Sequence, residues 1–330
     1  MKVAVFSTKY YEKEYLDKYN EDSKHQLIYF DNPLNIDSID LTKGFDAVSL
    51  MLAGNIDEAV INKLSENNIR LIDLRSAGYD NVDISAAIKH NIKVMRVPAY
   101  SPQAIAEHAV AIILTLNRKT NIAYNRIREN DFTINNLMGF NLFEKTVGVV
   151  GTGKIGRAFC TIMLGFGCKV IAYDIIQSDD MIKKGVVYKT FDELLTLSDI
   201  ISIHCPLTDD THHLFNSLAF DKIKVGAMLI NTSRGAVINT ADAMDALKKE
   251  QLGYLGIDVY EGEKALFSKD LSDSNIQDDI IERLMSFNNV LITPHQAFFT
   301  IEAVEQIAIT TIKNFTDFEQ GVLNGNEVTS

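Results

Sequence analysis

Cysteine is scarce in this sequence, basic residues never cluster, and no long apolar stretch occurs. Each absence removes a class of function. Only three cysteines, Cys160, Cys168 and Cys205, occur in 330 residues. An odd count without a Cys-x-x-Cys pair argues against a disulfide framework. Reduced thiols acting as small buried apolar groups, in a reducing cytosol, are expected instead. The formal net charge is −12 and there is no Lys/Arg-rich run. A nucleic acid or an anionic membrane therefore finds no electrostatic footing. No run of about 18 apolar residues is present, so no membrane-spanning helix is expected. The opening residues Met1–Ser7 read as a buried strand and lack the features of a secretory leader. These readings together predict a cytoplasmic protein. Internal repeats and low-complexity segments are also missing.

What is present is an ordinary globular composition, 46% hydrophobic and 23% charged. The length exceeds what one core usually supports, which predicts two domains. The acidic balance favours solubility, and it requires local positive groups wherever an anionic substrate binds.

Short apolar runs alternate with segments of helical period. Val3–Phe6, Gln26–Phe30, Ala47–Leu52, Arg70–Leu74 and Val94–Val97 read as strands, with helical sequence between them such as Asp57–Glu66. This βα alternation predicts a doubly wound parallel sheet covered on both faces. Ser101 and Pro102 then suit an N-cap and first helical turn, opening a long helix to about Leu116. A second block begins near Thr146. Its predicted strands are Thr146–Val150, Lys169–Tyr173, Ile200–His204, Met228–Asn231, Tyr254–Val259 and Val290–Thr293. Ser268–Asp279 reads as a polar surface loop. Beyond Pro294 a last helix, from about Ile301 to Phe318, is too short to be a domain. It is expected to return to the first one. The domains expected are therefore 1–100 with 299–330, and 101–298.

The second block opens on Thr146-Val147-Gly148-Val149-Val150-Gly151-Thr152-Gly153-Lys154-Ile155-Gly156, a strand running through Gly-x-Gly-x-x-Gly into a helix. Gly151 suits the tight turn, Gly153 lets backbone approach a pyrophosphate, and Gly156 permits close helix packing. The helix N-terminus offers N–H groups and positive potential to phosphates. Alone the motif is weak. Here a following strand, Val170–Asp174, ends in an acid at the distance expected for a ribose contact. Asp174 is followed by neutral Ile175 and Ile176, a pattern that favours NAD over NADP.

Three polar residues follow strand ends of this block: Arg234 in Asn231-Thr232-Ser233-Arg234-Gly235, Glu263 in Asp258-Val259-Tyr260-Glu261-Gly262-Glu263, and His295 in Thr293-Pro294-His295-Gln296-Ala297. The carboxyl ends of parallel strands line the ligand crevice of such sheets. Their chemistry suits reduction of a 2-keto acid. A histidine transfers a proton near neutral pH, a carboxylate orients it, and an arginine holds a carboxylate or polarises a carbonyl. Singly, each is more often a surface ion pair, a solvated acid or a structural histidine; it is their order behind the nucleotide motif that carries weight.

At these residues the sequence resembles the D-2-hydroxyacid dehydrogenase family, most closely its fermentative D-lactate members, along nearly the whole chain. The Asn-Thr-Ser-Arg-Gly, Asp-Val-Tyr-x-x-Glu and Pro-His-x-Ala runs all match. The resemblance implies two flavodoxin-like α/β domains with a cleft between them. It also implies a catalytic triad of Arg234, Glu263 and His295, and NADH-dependent reduction of pyruvate to D-lactate. Backbone N–H groups around Ala77 and Gly78 would bind the substrate carboxylate, with Tyr100 nearby. Phe298 would lie on the substrate side, where many D-lactate enzymes carry tyrosine. Cofactor contacts would come from Gly151, Gly153, Lys154, Ile155, Gly156, Asp174, Cys205, Pro206, Thr211, Thr232, Ser233, Arg234 and Asp258, the last facing the nicotinamide amide. A homodimer or homotetramer formed through the nucleotide-binding domain is also implied. Two alternatives stay open: an enzyme for bulkier keto acids such as 2-ketoisocaproate or phenylpyruvate, and an NAD-sensing binding protein. His204, His212 and His213 lie near one another, but no metal site is expected from them. His108 is expected to cap, or to line the domain junction.

Overall fold

A strand that is apolar along its whole length needs cover on both faces, and the strands here meet that need in two parallel sheets. The computed structural model describes residues 1–23, 25–51, 54–267 and 269–329. The chain divides into two compact units, residues 1–101 with 299–330, and residues 102–298.

The first unit holds β1 (Lys2–Phe6), β2 (Gln26–Phe30), β3 (Ala47–Leu50), β4 (Leu71–Leu74) and β5 (Lys93–Arg96), in the order β2-β1-β3-β4-β5. This is the flavodoxin-like order. Alternation along β1 sends Val3 and Val5 to one core, Ala4 and Phe6 to the other. The returning helix Ile301–Gln320 fills the first of these with Ala308, Ile312 and Phe315. Asp57 and Asp83 cap the crossover helices Glu58–Glu66 and Ile84–Lys89 through the N–H groups of Val60 and Ala86.

The second unit holds β6 (Thr146–Val150), β7 (Lys169–Tyr173), β8 (Val187–Tyr188), β9 (Ile200–Ile203), β10 (Ala227–Asn231), β11 (Leu252–Ile257) and β12 (Val290–Ile292), ordered β12-β11-β10-β9-β6-β7-β8. The chain winds outward from β6 to β8, then crosses to β9 on the other side. The switch point falls beside β6, where dinucleotides bind in this class of sheet. Helices Pro102–Arg118 and Lys154–Gly165 cover one face, which holds Val147, Val149, Met228 and Ile230.

The doubly wound parallel architecture read from the sequence is what the chain adopts, and several strand ends need correction. β3 stops at Leu50, opposite Leu74 where β4 also stops, and Leu52 of the expected strand lies outside the described residues. β11 runs Leu252–Ile257 and not Tyr254–Val259, because its ladder with β12 closes at Ile257↔Ile292. β1, β4, β5, β9, β10 and β12 shift by a residue at one or both ends, as strand ends commonly do. The two-residue β8 had no periodicity to betray it. The expected loop runs 269–278, since Asp279 begins the helix Asp279–Met285 and Asp278 caps it; Ser268 lies outside the described residues.

A polar group is buried in the first unit. Asp73 accepts hydrogen bonds from Ser49 Oγ and Asn314 Nδ2, both at 2.9 Å. Burial pushes its carboxyl up to about 6, against these bonds and the nearby Arg75 guanidinium. The folded chain therefore keeps a proton that the unfolded chain releases between pH 4 and 6. Stability falls as pH rises through that window, and the full cost, about 3 kcal/mol, is present above it. Asp73→Asn is expected to flatten this decline. Denaturant unfolding at pH 4, 5, 6 and 7 checks it, and parallel slopes for the two proteins would refute it.

Candidate active site

The glycine loop explains its own composition. Gly151 sits at φ 95 between β6 and the helix Lys154–Gly165, and a Cβ there would come within 2.8 Å of His204 backbone atoms. A Cβ on Gly156 would lie 1.9 Å from the Gly151 carbonyl oxygen. Gly153, the N-cap, has nothing within 4 Å of an added Cβ, and no side chain caps the helix above it. An open, uncapped N-terminus of a twelve-residue helix fits a pyrophosphate. Lys154 and Ile155 form its first turn.

Asp174 follows β7 beside this loop and does more than the motif implied. Its Oδ2 accepts from the N–H and hydroxyl of Thr152, and its Oδ1 from the Ile176 N–H. Burial works to raise its carboxyl, yet these donors outweigh burial and hold it below the ordinary carboxylate range. The charged acid thus braces the loop. Tyr188 on β8 donates to Thr152 Oγ1 at 2.9 Å and completes the brace. Sequence reasoning missed both Thr152 and Tyr188.

Cys205 and Pro206 follow β9, with the Cys205 thiol buried and pushed up to about 11 by that burial. Thr211 closes the next turn, donating its hydroxyl to the Pro206 carbonyl at 2.6 Å. Thr232 Oγ1 is buried with no partner among the described residues. A hydroxyl left so is costly unless something binds it. Together with the space over Gly153, it makes the residues present a fit for a dinucleotide. His204 lies beneath the loop, held neutral by burial at about 3, with Nε2 2.9 Å from Ser202 Oγ. His212 and His213 stack on each other, and His213 pairs with Glu261 at 2.6 Å. Among the described residues no group of three or more His, Cys, Asp or Glu could hold a metal ion.

The candidate catalytic residues follow strand ends. Arg234 follows β10 in a turn fastened by buried Asn231. The Asn231 Oδ1 accepts from Ser233, and its Nδ2 donates to the Arg234 carbonyl at 2.9 Å. The Arg234 guanidinium donates to the Ser233 carbonyl at 2.8 Å. Glu263 opens a short helix after β11. One of its oxygens accepts the Tyr260 N–H at 3.0 Å, and the other lies 3.1 Å from His295 Nδ1. With the carboxylate anchored at one oxygen, the imidazole is turned so that Nε2 remains for proton exchange.

The loop bearing His295 is wound around a carboxylate. Asp258, fully buried, accepts from the N–H groups of Gln296 (2.9 Å) and Ala297 (2.8 Å) and from the Thr293 hydroxyl. His108, from the helix Pro102–Arg118, places Nε2 3.1 Å from Thr293 Oγ1 and 3.4 Å from Asp258 Oδ1. His295 itself is left-handed at φ 54 and donates its N–H to the Asp258 carbonyl. Asp258 thus holds the histidine loop, a role the resemblance did not imply. Phe298 is half-buried in the turn beyond. In the first unit Ala77 and Gly78 follow β4 and Tyr100 follows β5, all half-buried.

The profile of the D-isomer specific 2-hydroxyacid dehydrogenase NAD binding domain matches residues 110–297. The D-lactate dehydrogenase of Escherichia coli (strain K12) is 44% identical over 99% of this chain and 100% of its own. Among solved structures, that of the pyruvate reductase of Chlamydomonas reinhardtii superposes with a TM-score of 0.92 at 40% identity, covering 99% of this chain and 98% of the other. A D-lactate dehydrogenase from Aquifex aeolicus, complexed with NAD and lactic acid, gives 0.89 at 32%, covering 99% of each. The chain belongs to the D-isomer specific 2-hydroxyacid dehydrogenases and carries their NAD-binding domain.

Proposed function

We propose that this protein reduces pyruvate to D-lactate with NADH, reversibly. The observation that carries this is the 3.1 Å pair of His295 and Glu263 in an NAD-binding domain of this family. NADH, when bound, supplies the hydride. His295 Nε2 gives the proton that makes the new hydroxyl, and Glu263 orients the imidazole for that transfer. Arg234 holds the substrate carboxylate or polarises its carbonyl with its planar fork of donors. The N–H groups of Ala77 and Gly78 take the carboxylate, and Tyr100 and Phe298 are substrate contacts. Gly151, Gly153, Lys154, Ile155, Gly156, Asp174, Cys205, Pro206, Thr211, Thr232, Ser233 and Asp258 serve the cofactor, Asp258 in part by holding its loop.

The test is NADH consumption with pyruvate, followed by a stereochemical assay of the lactate. Rapid turnover to the D isomer is expected. Higher kcat/KM with 2-ketoisocaproate or phenylpyruvate would move the assignment to a bulkier acid, and NADH binding without turnover on any keto acid would overturn it.

The protein acts in the cytoplasm in this reading, which its three buried, unpaired cysteines suit. No helix among the described residues is long and apolar enough to cross a membrane. It also assembles with copies of itself. In support, the helix Thr120–Arg128 buries none of its residues, and Phe132, Ile134 and Met138 beyond it are 73%, 83% and 87% exposed. Apolar side chains exposed in such a group mark an interaction surface. Sedimentation is expected to give a dimer or tetramer, and Ile134→Glu with Met138→Glu to lower its mass. A monomeric unaltered protein would refute this.

A further inference from the structure

The loop Ser76–Tyr79 is held from outside itself by one cation. Arg96, the last residue of β5, donates from Nη1 to the Ala77 carbonyl at 2.6 Å. Its guanidinium also lies 5.0 Å from the centre of the Tyr79 ring, a cation–π distance. The arginine is itself fixed. Its N–H donates to the Asn326 carbonyl at 3.0 Å, and its carbonyl accepts from Asn314 Nδ2 at 3.2 Å. The Val97 N–H donates to the Ser76 carbonyl at 3.1 Å, and the Ser76 hydroxyl to the Gly78 carbonyl at 2.9 Å.

The Ala77 carbonyl and the Gly78 N–H belong to the same peptide unit. A trans peptide is planar, with C=O and N–H pointing opposite ways. Gripping the carbonyl from one side therefore aims the N–H to the other. No hydrogen bond to the N–H of Ala77 or Gly78 is made among the described residues, and both residues are half-buried. A charge-assisted bond to the carbonyl oxygen also draws electron density from the amide and strengthens its N–H as a donor. On a chain of net charge −12, this local cation supplies the positive potential that an anionic substrate needs.

We propose that Arg96 is a positioning residue for substrate binding, fixing and polarising the Ala77–Gly78 peptide so that its N–H receives the substrate carboxylate. This rests on the keto-acid reading above. It acts through the peptide and not on the reacting carbon, so its removal weakens carboxylate binding more than it slows chemistry.

The test compares the unaltered enzyme with Arg96→Gln and Arg96→Lys, reading KM and kcat for pyruvate, inhibition by oxamate, NADH affinity and thermal midpoint. For Arg96→Gln, KM for pyruvate and the inhibition constant of oxamate are expected to rise together by about 10- to 100-fold, the value of a hydrogen bond to a charged group. The change in kcat should be much smaller, and NADH affinity unchanged. Arg96→Lys keeps the cation, and is expected to recover part of the loss and to remain folded if the glutamine variant does not. A merely structural arginine would lower the thermal midpoint and active fraction without moving oxamate inhibition, and that result would overturn the proposal. So would unchanged KM and oxamate inhibition in both variants of an enzyme that turns over pyruvate. No turnover by the unaltered enzyme would overturn the keto-acid reading, and this inference with it.

Discussion

Asparagine in place of His295 is expected to lower kcat for pyruvate by about 10²–10⁴-fold, the usual contribution of a positioned general acid. The choice of asparagine matters. His295 lies at φ 54, a region asparagine tolerates better than alanine does. The backbone bond to the Asp258 carbonyl and the loop around the Asp258 carboxylate should therefore persist. NADH affinity is expected to stay close to that of the unaltered protein, since the imidazole acts on the substrate. If kcat instead stayed within a few-fold while KM rose, His295 would be a binding group and the proton would come from elsewhere. A parallel loss of NADH affinity would point to collapse of the loop.

The second large effect is expected from Gly156→Ala, read beside Gly153→Ala. The two added methyl groups are chemically identical and meet different surroundings. At Gly156 the Cβ would overlap the Gly151 carbonyl oxygen at 1.9 Å. The loop and helix must separate to admit it, and such overpacking costs about 1–3 kcal/mol. The NADH-free protein relieves it by displacing the loop, and binding must drive the loop back. NADH affinity should therefore fall by about 10- to 100-fold, together with the thermal midpoint. At Gly153 the Cβ meets nothing within 4 Å, so the midpoint should barely move. Affinity should still drop, because that space is where the pyrophosphate would lie against the helix N-terminus. Fluorescence titration with NADH and thermal unfolding separate the cases. Full NADH affinity in Gly153→Ala would show that the dinucleotide does not use this space.

Much of the architecture was legible without coordinates because parallel strands buried on both faces leave continuous apolar runs. β1, β6 and β7 stand out in this way. The glycine motif was legible because each of its glycines answers a local backbone requirement. Arg234, Glu263 and His295 stand out in the sequence as candidates beyond strand ends, where this architecture gathers ligand groups. Strand ends were less so, since a ladder stops where its partner stops, as β3 does opposite Leu74. β8 was too short to show any period.

The sequence by itself determined the class of fold, the place of the dinucleotide loop and the three residues expected to do the chemistry. These rest on spacings of a few residues, over which backbone geometry is nearly fixed. Tertiary structure alone decided what holds those residues. Asp258 gathers the histidine loop from 38 and 39 positions away, Asp174 braces Thr152 across 22, Arg96 grips Ala77 across 19, and Asn314 reaches Asp73 across 241. No periodicity connects such pairs. Their energies depend on burial and on which donors remain unpaired once the sheets have formed, and both are properties of the packed chain.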